Sequence, residues 1–402
     1  MTSEPPIPRE SQRGVIVLPS HGAFDGRAHR IAAGLAARGH DVTVIARAAP
    51  GLPTESRDPG GYVIRRAGGA IPADLGTPWR QLRQLQAVVG QRASASGLIL
   101  DSPGVIHAMG LMGLPVGLAI RSAMGGRLVY DARDLYPDAG NLARMPAFVR
   151  SLVGRIERRW ALRADRVFTV NDALAGLLRT RLGCDLPVVV MNASDPRPAG
   201  SARPHRFHDR LQLDPSVPVV LYQGGFSPGR GIEELVEAMS HVPTAHLVLL
   251  GYGRLVAELQ YRVDRSPAAN RISILPAVAP ADLLEWVASA DVVAIPIQGG
   301  TLNHRLATPN KLFEALAAGV PVVASDLPGM APIVHELDAG VLVDPSSPTS
   351  IAAGIQTLLE AGPDERAQRQ TRLQAAAAGR FGWQAQFATL LTEYGRLTGR
   401  PW

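Results

Sequence analysis

Short apolar runs alternate along this chain with longer stretches in which apolar residues recur every three or four positions. Residues 14–18 (Gly14-Val15-Ile16-Val17-Leu18) read as a buried strand, followed by a loop over 19–25. A helix over 26–37 ends at Gly39, and 41–46 is the next strand. Further strands are expected at 104–108, 127–130 and 166–170, with helical segments between them. A proline-, arginine- and serine-rich stretch over 195–216 reads as a linker. A second series opens at 217–222 and continues with strands at 245–250, 271–275, 291–295, 320–324 and 340–343. Helices over 365–380 and 383–396 close the chain. Strand and helix in strict alternation is the mark of a parallel sheet wrapped by helices. The expected fold is therefore α/β, with two doubly wound Rossmann-like domains facing a cleft, one over 1–195 and one over 196–402. The last helix is expected to pack back on the N-terminal domain. In such sheets ligands bind beyond the carboxyl ends of the strands, so the loops after them carry the chemistry.

A length of 402 residues allows two or three domains, and 46% hydrophobic with 19% charged residues is ordinary for a soluble globular protein. Cys184 is the only cysteine, which leaves no internal disulfide and suits a reducing cytoplasm. The first ten residues are polar and proline-rich, unlike a signal peptide. Residues 106–120 form the longest apolar stretch, broken by His107 and too short to span a bilayer. Charge is unevenly placed: residues 1–200 carry 25 arginines against 16 acids, whereas 201–402 carry 16 basic groups against 19 acids. A basic first half suits an acidic partner or an anionic membrane at the inner face. No nucleic-acid-binding motif accompanies it. Phe148, Val149, Leu152, Val153, Ile156 and Trp160 recur at helical spacing among Arg150, Arg155, Arg158, Arg159 and Arg163. Two readings of residues 146–163 stand open: a core helix with a solvated basic face, or an amphipathic helix making a peripheral membrane contact.

Forty of the 41 basic residues are arginine, and the exception is Lys311. Thr308 reads as an N-cap and Pro309 as the first helical residue. Leu312, Phe313, Leu316 and Ala317 give an apolar stripe, and Gly319 ends the helix. Lys311 then lies in the first turn, where a cation opposes the helix dipole unless an anion sits between them. That arrangement points to a phosphate-bearing ligand, with Glu314 accepting hydroxyls of its sugar. The loop Gln223-Gly224-Gly225-Phe226-Ser227-Pro228-Gly229-Arg230-Gly231 adds four glycines, which let backbone approach a ligand, and an arginine able to fork onto phosphate. A dinucleotide glycine fingerprint, a Walker loop and an Asp-x-Asp are all missing, and His205 and His208 lack a third ligand nearby. No metal site is expected.

The motif Tyr222-x-Gly224 with Gly231, Glu234 and Ala238, followed by Pro309-Asn310-Lys311-Leu312-Phe313-Glu314-Ala315-Leu316-Ala317-Ala318-Gly319, resembles family 4 of the GT-B-fold glycosyltransferases. Asp25-Gly26-Arg27-Ala28-His29-Arg30 and Tyr130-Asp131-Ala132-Arg133-Asp134-Leu135-Tyr136 are similar to the first half of that family. The likeness covers almost the whole chain. It implies a nucleotide-diphosphate sugar held by the C-terminal domain and a hydroxyl acceptor (a glycan, a lipid-linked glycan or a small metabolite) held by the N-terminal one. It also implies retention of anomeric configuration with neither metal nor cofactor. Carried over by position, Arg230 and Lys311 hold the diphosphate and Glu314 the ribose. Gly224, Gly225, Gly299, Gly300, Thr301, Pro309, Asn310 and Leu312 face the donor, and Val278 lies by the base. His21 beside Gly22, His107, and Arg133 with Asp131 are the acceptor-side candidates; His107 reads either as a cleft residue or as a buried core histidine, and Asp131 and Asp134 either orient Arg133 or solvate the loop. Three positions depart from the family pattern: Gly225 and Arg133 replace a common arginine and histidine, and Leu306 replaces a first glutamate. These departures keep two rivals open, a degenerate protein that binds sugar nucleotide without turnover and a sugar-nucleotide epimerase. A pyridoxal-dependent phosphorylase would have only Lys311 for its Schiff base.

Overall fold

The computed structural model describes residues 11–21, 25–68, 90–92, 94–99, 101–198 and 200–402. They form two compact units, one running to Val190 and including Phe387–Trp402, the other Met191–Gln386.

The first unit is built on an eight-stranded sheet in the order β3-β4-β2-β1-β5-β6-β7-β8. In chain order the strands are β1 (Arg13–Val17), β2 (Asp41–Arg47), β3 (Glu55–Arg57), β4 (Val63–Ala67), β5 (Val105–Met109), β6 (Arg127–Asp131), β7 (Arg166–Thr169) and β8 (Val188–Val189). Only β3 runs antiparallel, against β4. Val15, Ile16 and Val17 are all buried, as a central strand covered on both faces requires. The described helices are α1 (Gly26–Ala36), α2 (Gly110–Met124), α3 (Ala147–Ala161) and α4 (Asp172–Leu182). Asp25 caps α1 by accepting the Ala28 N–H at 3.2 Å.

The second unit carries a six-stranded parallel sheet in the order β11-β10-β9-β12-β13-β14. Its strands are β9 (Val219–Phe226), β10 (His246–Gly253), β11 (Ile272–Pro276), β12 (Val292–Ile295), β13 (Val322–Ser325) and β14 (Gly340–Val343). Its α-helices are α5 (Arg206–Leu211), α6 (Ile232–Ala238), α7 (Val256–Asp264), α8 (Leu283–Val287), α9 (Leu302–Leu306), α10 (Asn310–Ala318), α11 (Ala331–Leu337), α12 (Pro348–Glu360) and α13 (Pro363–Ala378). The last helix, α14 (Trp383–Thr398), belongs to the first unit from Phe387 onward. There Tyr394 stacks on Phe168 and its hydroxyl lies 2.6 Å from His107 Nδ1. Trp402 packs on the His40 ring, with centroids 5.0 Å apart.

Two expectations are corrected. The stretch 195–216 is not a bare linker. It holds α5, whose buried Phe207 meets Trp286 edge-on, and Arg197 pairs with Glu285 at 2.7 Å. Thr308 does not cap α10. Its hydroxyl donates to the Gly329 carbonyl at 2.6 Å, which leaves Pro309 at the cap position and Asn310 as the first helical residue. Helix α3 divides its apolar stripe: it buries Glu157 and Ala161, half-buries Val149, Val153 and Trp160, and leaves Phe148, Leu152 and Ile156 exposed. Glu157 accepts the Tyr130 hydroxyl at 2.6 Å, which gives a buried carboxyl the partner it needs. Among the described residues no helix is long and apolar enough to cross a membrane.

Candidate functional site

In the second unit the candidate site gathers where β9 and α10 meet. Tyr222 and Gly224 are two residues apart on β9 and so share a face. Tyr222 is fully buried and its hydroxyl donates to the Gly225 carbonyl at 3.2 Å. Gly224 adopts φ +121°, and a Cβ there would stand 3.9 Å from Lys311 Nζ. The loop closes at Gly231, where φ is +70° and a Cβ would come within 1.8 Å of the Pro296 carbonyl oxygen. Only glycine fits that approach.

Helix α10 presents Lys311 and Glu314, one turn apart, to this strand end. The Lys311 ammonium lies 3.5 Å from the centroid of the Tyr222 ring, a cation on an aromatic face. Burial, with Arg230 as a second contributor, pushes Lys311 down to about 7, against the opposing pull of Glu314. Arg230 is half-buried and makes no ion pair among the described residues. Glu314 accepts from Gln223 Nε2 at 3.3 Å, while the buried Gln223 Oε1 has no partner among the described residues. Lone cationic groups held together in this way favour an anion between them. The first N–H groups of α10, on Asn310 and Lys311, add to that preference.

The remaining donor-side candidates differ in what they can offer. Asn310 is exposed and Pro309 half-buried, so both can meet a ligand. Leu312 cannot do so by side chain, since it is fully buried, and its N–H bonds to the Pro309 carbonyl at 3.0 Å. That expectation is corrected. Thr301 caps α9 by accepting the His304 N–H at 3.1 Å. Gly300 is exposed, Gly299 half-buried, and Val278 half-buried just beyond β11. Gly225 is exposed, and a Cβ added there would meet nothing within 4 Å. Leu306 ends α9, partly buried. Among the described residues no three His, Cys, Asp or Glu side chains are grouped to hold a metal ion.

In the first unit the acceptor-side candidates are mostly internal. Asp131 ends β6, fully buried, with Arg27 Nε at 2.7 Å and His107 Nε2 at 3.1 Å. Burial alone would raise its carboxyl, but Arg27 and His107 hold it well below the usual carboxylate range. Arg27 also donates to the Val190 carbonyl at 2.7 Å, and His107 is enclosed between Asp131 and Tyr394. Asp131 and His107 are therefore parts of a satisfied internal network and do not face a substrate. Arg133 is held by Asp25, at 2.9 Å, with Asp131 adding a weaker attraction. The half-buried His21 follows β1, and Gly22 lies outside the described residues.

Sequence reasoning missed the roles of Tyr222, Gln223, Asp25 and Arg27. The period of two along β9 was the available signal for Tyr222, since it puts an aromatic face beside Gly224. Nothing local links Arg133 to Asp25, which lie 108 positions apart.

Comparison with known proteins identifies the family and the fold. Residues 25–193 match the family described as glycosyl transferase 4-like domain, and residues 217–361 match glycosyl transferases group 1. A D-inositol 3-phosphate glycosyltransferase of Segniliparus rotundus is 29% identical over 385 residues, covering 90% of this chain and 81% of its own. Two solved structures share the fold. Sucrose-phosphate synthase of Thermosynechococcus elongatus superposes with a TM-score of 0.78 at 21% identity, over 96% of this chain and 99% of its own. The Anabaena protein HepE, in complex with UDP and glucose, superposes with a TM-score of 0.72 at 19% identity, over 96% and 100%.

Proposed function

This chain belongs to the family 4 glycosyltransferases of the GT-B fold, and from that premise we propose how it moves a sugar from a nucleotide-diphosphate donor to a hydroxyl acceptor. Lys311 and Arg230 hold the donor diphosphate, with the first N–H groups of α10 completing the anion site. Glu314, steadied by Gln223, accepts the ribose hydroxyls. One observation carries this assignment: the Lys311 ammonium lies on the Tyr222 ring, where a Cβ on Gly224 would stand 3.9 Å from it, and Arg230 in the loop that follows β9 makes no ion pair among the described residues. An anion beside them offsets the burial that chiefly lowers the lysine as well as the smaller effect of Arg230.

Transfer then requires charge stabilisation more than a nucleophile. The bond between the anomeric carbon and the diphosphate oxygen breaks, and negative charge gathers on the leaving diphosphate. Fixed donors aimed at such charge contribute roughly 3–4 kcal/mol each. The departing phosphate oxygen takes the proton of the acceptor hydroxyl as that oxygen bonds to the same face of the sugar. Configuration is retained, and the products are a nucleoside diphosphate and a glycoside. Lys311, Arg230 and the helix N–H groups supply the charge that a divalent metal supplies in other transferases, so turnover needs no added metal. The acceptor class is a phosphorylated polyol of the inositol phosphate kind, by analogy with the Segniliparus relative. Half-buried His21 is the remaining acceptor-side histidine, since His107 is enclosed.

A second reading, sugar-nucleotide binding without turnover, rests on Gly225 and Leu306 standing where the family pattern has charged residues. The deciding experiment screens sugar nucleotides for thermal stabilisation. Each one that stabilises is then incubated with D-inositol 3-phosphate, with and without EDTA. A glycoside of retained configuration, formed equally in EDTA, supports the account. An inverted product or an EDTA-sensitive one contradicts the mechanism, and stabilisation without any turnover favours the second reading.

A further inference from the structure

We propose that α3 is a membrane-surface helix that docks this enzyme on a bilayer rich in anionic phospholipid headgroups. The proposal does not depend on which acceptor the enzyme uses. Phe148, Leu152 and Ile156 follow one another at intervals of four along α3 and are 74%, 54% and 36% exposed. Met145 before the helix and Leu162 just after it are 43% and 52% exposed. Phe148, Leu152 and Ile156 form one apolar strip along about two turns, with Met145 and Leu162 exposed near its ends, unlike the scattered single residues that any surface carries. Their position follows from what lies beneath. The inner face of α3 holds a buried polar contact, Glu157 with the Tyr130 hydroxyl, beside half-buried Val149, Val153 and Trp160, and Phe148, Leu152 and Ile156 lie on the outward side.

Charge decides the occupant. Arg155, Arg158 and Arg159 are exposed on the same helix, and Arg163 stands just beyond its end. None of the four makes an ion pair among the described residues. The only acid of α3 is the buried Glu157, so its outer surface is purely cationic. Arg150 differs: with Arg181 it pairs with Asp138, the latter contact at 2.7 Å, and is satisfied within the fold. An apolar strip bordered by uncommitted arginines, with no exposed acid, matches the interface of an anionic bilayer. There the apolar side chains enter the acyl boundary while guanidinium groups reach the phosphates. Each arginine near such a surface adds about 1 kcal/mol of attraction, screened by salt.

The test is flotation of the full-length protein with vesicles of phosphatidylcholine alone or mixed with phosphatidylglycerol, at low and high salt. Co-flotation with the mixed vesicles at low salt is expected, with loss at high salt and little binding to phosphatidylcholine. F148E/L152E should weaken binding about tenfold or more, as should R155E/R159E, because either half of the interface is then removed. All four positions are exposed, so the melting temperature should stay near that of the parent, and a melting curve of each variant checks this. Absence of binding to anionic vesicles at low salt overturns the proposal, as does binding that both double variants retain. A parent that is dimeric by light scattering and becomes monomeric in F148E/L152E would assign the patch to a second copy of this chain, which also overturns it.

Discussion

Lys311 holds its ammonium 3.5 Å from the centre of the Tyr222 ring, so the chain's single lysine rests on an aromatic face at the end of β9. The ring positions the cation through its π-face and not through its hydroxyl, which is directed to the Gly225 carbonyl. Tyr222→Phe should therefore bind the donor sugar nucleotide nearly as well as the parent. Tyr222→Leu should lose roughly 0.5–2 kcal/mol of donor affinity, the range for a cation on an aromatic face. Titration calorimetry distinguishes the two, and equal losses in both variants would show that the ring face plays no part.

Donor binding should take up a proton. Lys311 is drawn down to about 7 in the free protein by burial and by Arg230, and a bound diphosphate favours its charged form. Below about pH 7 the lysine is already protonated and affinity is at its full value. As pH rises above that point the complex must recruit a proton, and affinity should fall by up to about tenfold per pH unit. Calorimetry at pH 8 in two buffers of different ionisation enthalpy measures the uptake directly. A sugar nucleotide is the right probe because its diphosphate diester does not titrate in this range. An identical heat in both buffers would contradict the assignment.

Gly225 leaves a place for a third phosphate cation beside Lys311 and Arg230. It is exposed, and a Cβ there has open space. Gly225→Arg should tighten donor binding by about tenfold, the worth of one charge-assisted hydrogen bond of about 1.5 kcal/mol. A variant that folds normally and binds no better would mean that the diphosphate does not pass over this position.

Glu157 links stability to pH. Burial is the main reason its carboxyl is raised to about 7, with the Tyr130 hydroxyl and Arg181 opposing that rise. Between about 4.5 and 7 the folded state thus binds more protons than the unfolded chain, so stability falls as pH rises through that window. Glu157→Gln removes the titration and should flatten the dependence of melting temperature on pH between 5 and 8. A parent protein whose melting temperature rises over that interval would contradict the sign.

Much of this architecture is legible in the sequence because buried parallel strands write themselves as apolar runs. The runs at 14–18, 41–46 and 340–343 fall within a residue of β1, β2 and β14. The pair β3–β4 is not legible, since Glu55–Arg57 and Val63–Ala67 have neither an apolar run nor clean alternation. Helix α10 is readable from its stripe and Gly319, but its start is not, because the Thr308 hydroxyl is claimed by Gly329, 21 positions away. The same limit separates the two candidate sites. Lys311 and Glu314 lie on one helix and announce themselves by spacing. The true neighbours of His107 and Arg133 are Tyr394 and Asp25, 287 and 108 positions distant, and local pattern cannot supply them. The stripe of α3 shows the converse: its periodicity is plain, but not that Glu157 is buried against Tyr130 while Phe148, Leu152 and Ile156 lie outward.

Lys311→Ala removes one of the two cations proposed to hold the donor diphosphate and leaves Arg230 in place. Affinity and turnover should be measured with whichever sugar nucleotide stabilises the parent most, beside the melting temperature. Turnover should fall by about 10²–10³, as expected when a donor aimed at the leaving charge is removed. The melting temperature should not fall, since a buried amine already pushed toward its neutral form is a poor source of stability. Lys311→Arg should recover only part of the loss, because a planar fork does not replace a compact ammonium on the Tyr222 face. Undiminished donor binding and turnover in Lys311→Ala would contradict the account.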